Sequence, residues 1–397
     1  MDTVAQAEPS PPAARHGRGC LRWLARSAMV VGAVIIVLAA YLVVAVVRAH
    51  TERALPQVAD SWPIGRSRLE IGVPAADRIT RPGIDSVWLW YPSVADHDRQ
   101  PAPYAPGAWT AMHFAAPLGL LESDFGDLRI RSRENVQPAA GRFPLIILQP
   151  GLGFSAPEYQ ALAEDLAAAG FVVGGITPTG SANTTVIDGR VFGSTPQGNP
   201  ADSDAATARS ELDRLTGKWS GAAVAVAAAV RHTKIIAGHV TDGTVYLGHS
   251  LGGAASLQAC HDDPGCLGAA DLDGAEYGDV VRTGLTEPLM LISSNSCITG
   301  RCPAGVPDNP EDRRTAGSLL QHSSGPSWCD SIAGIQHFNF SDLGDYYLAL
   351  PLRKLLALGS LDGADATRTI DRAVIAFATY ATSGRSQPVL TAMGSCP

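Results

Sequence analysis

The chain has 397 residues, 46% of them hydrophobic and 17% charged, and a formal net charge of −8. That length suits one large α/β unit with an added tail, and that composition suits a folded chain rather than a disordered one. No basic stripe that would neutralise phosphates is present, which sets nucleic-acid binding aside.

Residues 1–27 include Glu8-Pro9-Ser10-Pro11-Pro12, which cannot bury a core, and then Arg15, Arg18, Arg22 and Arg26. From Ala28 to Val47 no side chain is charged. About 20 apolar residues is what a helix needs to cross a bilayer. A cleaved signal peptide would have a shorter apolar core of roughly 7–15 residues, and a buried helix is seldom apolar on every face for so long. The basic excess before the run places the N-terminus in the cytoplasm. Residues 1–27 therefore read as a cytoplasmic tail, 28–47 as a transmembrane signal anchor, 48–62 as a stalk and 63–397 as a folded domain outside the cell membrane.

Cysteine usage agrees with that compartment. Of seven cysteines, Cys260, Cys266, Cys297, Cys302, Cys329 and Cys396 lie beyond the apolar run, an even number as disulfides require. Local pairs Cys260–Cys266 and Cys297–Cys302 would leave Cys329 to reach Cys396. No Cys-x-x-Cys opens a zinc site, and His261-Asp262-Asp263 reads as a solvated loop, so no metal is expected.

Within 63–397, strands alternate with helical stretches, the pattern of a mostly parallel sheet with helices on both faces. Strands are predicted at Ser86–Tyr91, Phe143–Leu148, Phe171–Ile176, Thr244–Leu247, Leu267–Leu272, Leu289–Ile292 and about Ile332–Ile335. Helices are predicted at about Glu158–Ala169, Leu212–His232 and Leu251–Cys260. The Pro- and Gly-punctuated stretch from Pro101 to Arg131 has no clear period and is placed as a cap over the site.

The chemistry centres on Gly248-His249-Ser250-Leu251-Gly252. Five letters are weak evidence in a chain with 41 glycines. The context is more telling, because an apolar strand runs into the motif and a helix leaves it. That is how a nucleophile elbow presents a serine hydroxyl, with small residues two before and two after. A serine needs a base and a group to orient that base, and in such folds they follow in the order Ser, acid, His. His261, His322 and His337 are the downstream candidates, and position favours His337, just beyond the last predicted strand. Asp271 and Asp273 share a strand face, so alternation does not separate them. Asp273 lies nearer the C-terminal edge, where open α/β sheets gather ligands, and is favoured. The oxyanion donors expected are the backbone N–H groups of Leu251 and of Leu152, the latter in Gln149-Pro150-Gly151-Leu152-Gly153.

These segments, with Leu89-Trp90-Tyr91-Pro92, Asp271-Leu272-Asp273-Gly274 and His337-Phe338-Asn339-Phe340, resemble the plasma-type platelet-activating-factor acetylhydrolase family over about residues 65–345. The resemblance implies an α/β-hydrolase fold with Ser250 as nucleophile, Asp273 as acid, His337 as base and Leu152 and Leu251 as oxyanion donors. Elements of the pattern also occur in bacterial esterases of the dienelactone-hydrolase and chlorophyllase types. The chain departs from the family at Gln149-Pro150 and at Thr177-Pro178-Thr179-Gly180, where it lacks that family's usual histidines. The reading is thus a serine ester hydrolase acting on short-chain or phospholipid-like acyl esters outside the membrane, without a cofactor. An envelope acyltransferase using the same acyl-enzyme, and a non-catalytic envelope protein on a hydrolase scaffold, are the alternatives.

Overall fold

A computed structural model describes residues 17–200, 205–294, 310–393 and 396. Cys297 and Cys302, and residues 1–16 of the tail, lie outside this set. The chain divides into two units, 1–48 and 49–397. The first holds most of a helix, α1 (Gly17–Ala49), whose stretch Arg22–Ala49 is long and apolar enough to cross a membrane; no other helix among the described residues is.

In the second unit the apolar runs form a nine-stranded sheet. Its strands are β1 (Ile64–Gly72), β2 (Ile84–Pro92), β3 (Arg133–Glu134), β4 (Phe143–Gln149), β5 (Val172–Thr177), β6 (Val240–His249), β7 (Cys266–Leu272), β8 (Leu289–Ser293) and β9 (Ser327–Ser331). They lie side by side in the order β9-β8-β7-β6-β4-β5-β2-β1-β3. The six from β9 to β5 are parallel, whereas β2 runs antiparallel to both β5 and β1. Side chains alternate between two buried layers, as the period of a strand requires. Ile146, Leu148, Val245 and Leu247 enter one core, and Leu145, Ile147 and Tyr246 enter the other. Helices α2 (Gln160–Ala168) and α6 (Gly363–Ser383) cover the first layer. Helices α3 (Ala205–His232), α4 (Leu251–Asp262) and α5 (Pro310–His322) cover the second.

Two sequence expectations change. The last strand is Ser327–Ser331, paired in register with β8, and Ile332 and Ile335 are instead buried in the loop that follows. His322, one of the candidate bases, ends α5 and bonds the Ser318 carbonyl one turn back. Residues 48–62, read as a stalk, run along the domain from Ala49 onward. The Ala49 carbonyl accepts from Asp124 N–H, Arg53 and Leu55 bond to Asp127 and Arg129, and the Val58 and Ala59 N–H groups donate to Asp165.

Disulfides join Cys260 to Cys266, at the end of α4 and the start of β7, and Cys329 in β9 to Cys396.

Candidate active site

Strand β6 runs straight into Ser250, and α4 leaves from Leu251. Ser250 itself takes φ 56° and ψ −127°, a conformation L-residues avoid and that persists only where surroundings enforce it. Its N–H donates to the Leu272 carbonyl of β7 at 2.9 Å. Gly248 and Gly252 are required by close approach, since a Cβ on the first would strike the Gly252 backbone and one on the second the carbonyls of Gln149 and Pro150. The half-buried hydroxyl of Ser250 thus stands at the C-terminal edge of the sheet.

Three side chains meet there. Ser250 Oγ lies 3.0 Å from His337 Nε2, and His337 Nδ1 lies 2.7 Å from Asp273 Oδ2. His337 opens a short 3-10 turn, His337–Phe340, fixed by reciprocal bonds between Gln336 and Asn339. Asp273 follows the end of β7 with φ 60°, so it has left the pleat, and strand alternation no longer governs where its carboxylate faces. That carboxylate also accepts from Ser294 N–H at 2.5 Å and Ser294 Oγ at 2.7 Å. Burial opposes its charge, but the His337 contact and the two Ser294 donors outweigh it and hold Asp273 below the usual carboxylate range. An ionised carboxylate only accepts, so the imidazole proton sits on Nδ1, and Nε2 is free to accept from the serine hydroxyl.

Asp271, two residues earlier, is shifted in the opposite direction. It is buried, with Oδ1 accepting from Gly274 N–H at 2.9 Å, and burial together with nearby Glu276 raises it well above the usual range. Environments that drive two neighbouring carboxyls apart assign them different roles. Neither rival histidine joins the group, since His261 bonds Asp262 and His322 bonds its own helix.

The two expected oxyanion donors flank the serine. Leu251 N–H belongs to the first residue of α4, where amides have no partner within the helix and carry partial positive charge. The turn bearing Leu152 is equally near, because a Cβ on Gly151 would come within 3.4 Å of Ser250 Cβ. A support for this turn is absent from the sequence reading. Gly151 N–H donates to Tyr159 Oη at 2.8 Å, and Tyr159 Oη is hydrogen-bonded to His249 Nδ1 at 2.7 Å. Burial, and then the neighbouring His337, hold His249 well below the ordinary imidazole range. Tyr159 and Ser294 carry no motif of their own; only the fold brings them to the site.

Beside the site lies a cleft of about 440 Å³. Its lining includes Leu152, Phe154 and Phe338, which lie close in sequence to the site residues, and Met112 and Phe114 from the Pro101–Arg131 stretch. Glu158 faces the same space, and burial pushes its carboxyl up to about 8. His113 is raised to about 9 by its hydrogen bond to buried Glu122. A hydroxyl hydrogen-bonded to an oriented imidazole is the arrangement that nucleophilic catalysis by a serine requires.

No family model matches the chain, and no curated protein matches it by sequence. The narrower resemblance to the platelet-activating-factor acetylhydrolase family therefore has no matching model behind it. Among solved structures the chain is similar to a ferulic acid esterase from Streptomyces cinnamoneus. The TM-score is 0.69 at 22% sequence identity, over 86% of this chain and 96% of that one. A likeness at that identity carries architecture, and together with the sheet order and the strand-turn-helix elbow it gives this chain the α/β-hydrolase fold.

Proposed function

We propose that the chain is a serine ester hydrolase, held at the outer face of a membrane by residues 28–47. The observation that carries this reading is the continuous hydrogen-bonded line from Ser250 Oγ through His337 to Asp273. In the reaction, Ser250 Oγ attacks the acyl carbonyl carbon while its proton passes to His337 Nε2. The Leu251 and Leu152 N–H groups hold the negative oxygen, and Asp273 stabilises the imidazolium. Collapse expels the alcohol, which takes the proton from His337. Water, activated by the same imidazole, then releases the acid and restores Ser250.

The aromatic walls of the cleft favour esters with an aromatic or long acyl part. Because the structure it resembles is a ferulic acid esterase, ferulate esters belong beside p-nitrophenyl and phospholipid esters in the substrate panel. Location outside the cell is supported by the basic excess before residue 28 and by two disulfides beyond the apolar run. The deciding experiment is labelling with a fluorophosphonate probe. Wild type is expected to react and Ser250→Ala not to; equal labelling would overturn the assignment.

A further inference from the structure

We propose that Glu158 is a specificity-determining residue, which gives the cleft beside the site a preference for esters that carry a hydroxyl group on an otherwise apolar chain. The inference deepens the ester-hydrolase reading and rests on it. Glu158 is half-buried and lines the cleft with Leu152, Phe154 and Phe338. It belongs to a 3-10 turn, Ala156–Tyr159, that is fastened at both ends. Ala156 N–H donates to Thr177 Oγ1, and Tyr159 Oη accepts from the Gly151 N–H of the turn bearing Leu152. Glu158 Oε2 accepts from Ser155 N–H at 2.7 Å, and Ser155 Oγ in turn donates to the Thr184 carbonyl at 2.6 Å. Oε1 has no hydrogen-bond partner among the described residues, and the cleft is the space Glu158 opens onto.

These contacts set the chemistry of the ligand. Glu122, the other carboxylate of the lining, lies 3.0 Å from His113, whereas no cation pairs with Glu158 among the described residues. Burial raises Glu158 to about 8, the charges of Asp342 and Glu122 add to the effect, and the phenols of Tyr104, Tyr159 and Tyr346 feel its charge in return. With Oε2 accepting from Ser155 N–H, the acid proton sits on Oε1. That atom donates while the carboxyl is neutral and accepts once it is ionised. A hydroxyl on the substrate answers both states, an ether oxygen only the first, and a methyl group neither. The phenylalanine walls take the apolar remainder.

Binding to the full chain carrying Ser250→Ala is measured by calorimetric titration, so that no turnover is needed. The ligands are methyl alkanoates and alkyl acetates of about four to ten carbons, each ending in a hydroxyl, methoxy or methyl group. Titrations are run at pH 6 and pH 9, on either side of the Glu158 value of about 8. At the best-fitting length, the hydroxy ester is expected to bind about fivefold or more tightly than the methyl-ended one at both pH values. The methoxy ester should match the hydroxy ester at pH 6 and fall to the methyl level at pH 9, because an ionised carboxyl cannot donate. Adding Glu158→Gln keeps a donor in place of Oε1 and should make the methoxy preference independent of pH. Adding Glu158→Leu should bring all three ligands within about twofold of one another. The Gln variant retains an acceptor for Ser155 N–H and decides the matter even where the Leu variant does not fold. A hydroxy ester bound no better than its methyl counterpart at any length in either series overturns the inference. So does a preference that Glu158→Gln leaves pH-dependent, or tightest binding by a trimethylammonium-ended ester, the mark of a pocket for cations. Absence of ester turnover in wild type would defeat the hydrolase reading alone, since binding is measured without it.

Discussion

Replacing Asp273 by Asn separates the proposed chemistry from mere shape. The carboxylate accepts three hydrogen bonds, one from His337 Nδ1 and two from Ser294. An amide has one oxygen, and with that oxygen kept at the Oδ1 position by Ser294 N–H its NH₂ group takes the Oδ2 position, facing His337 Nδ1 and Ser294 Oγ. Nδ1 must then accept, the ring proton moves to Nε2, and Nε2 no longer accepts from Ser250. Wrong-tautomer variants of such triads lose about 10⁴ in kcat, so a loss of about 10³–10⁴ is expected, or about 4–5.5 kcal/mol of transition-state stabilisation. Asp271→Asn is the control. Burial and nearby Glu276 favour the neutral form of the Asp271 carboxyl, and an amide oxygen can still accept from Gly274 N–H. Its activity should stay within about threefold of wild type, because nearly isosteric neutral groups replace one another at small cost. The assay is p-nitrophenyl acetate hydrolysis by the full chain, with thermal unfolding run alongside. If Asp271→Asn were the inactive variant and Asp273→Asn kept more than a tenth of the activity, the assignment of the acid would be wrong.

Other expectations concern the surroundings of the triad. Tyr159→Phe removes the hydroxyl that joins Gly151 N–H to His249; steady-state kinetics should show kcat reduced about 5- to 30-fold with KM little changed, as for the loss of one buried bond worth about 1–2 kcal/mol. The disulfides close unequal loops, with sequence separations of 67 for Cys329–Cys396 and 6 for Cys260–Cys266. Loop entropy assigns them about 4 and about 2 kcal/mol, so denaturant titration should find Cys396→Ser the more damaging substitution. Burial raises Asp85, Glu276 and Asp342 to about 7 and Asp345 and Glu158 to about 8. Above the unfolded values near 4 the unfolded chain releases these protons while the folded one keeps them, so stability falls as pH rises from about 4 to about 8. Melting followed by circular dichroism should give a higher Tm at pH 5 than at pH 8, and the reverse order would contradict it.

The sheet and the elbow were legible because their signals are local. An apolar strand, a serine between glycines and a helix follow one another within about twenty residues. The chain order of acid and base carried the argument as far as candidates, but only tertiary contacts separate them. Asp271 and Asp273 look equivalent by strand period until the chain turns to positive φ after Leu272 and sends one carboxylate to Ser294. The last strand was misplaced because Ile332 and Ile335 carry the apolar signal, whereas Ser327–Ser331, at the sheet margin, pairs through its backbone and leaves most side chains half-buried. Residues 48–62 looked like a spacer by composition. Their backbone N–H groups bond to residues about 70 to 110 positions away, which no local window contains.

The bond from Cys329 to Cys396 has a further consequence, for self-association. An open sheet offers two rows of unpaired backbone groups that a second molecule can extend. One margin here is β3, only two residues long and too brief to template another strand. The other is β9, and there Cys396 N–H donates to the Ser327 carbonyl while its sulfur is tied to Cys329. Cys396 thus covers part of the longer open margin, and proteolytic removal of the segment that carries it would expose β9 to edge-to-edge aggregation before it disturbed the distant serine.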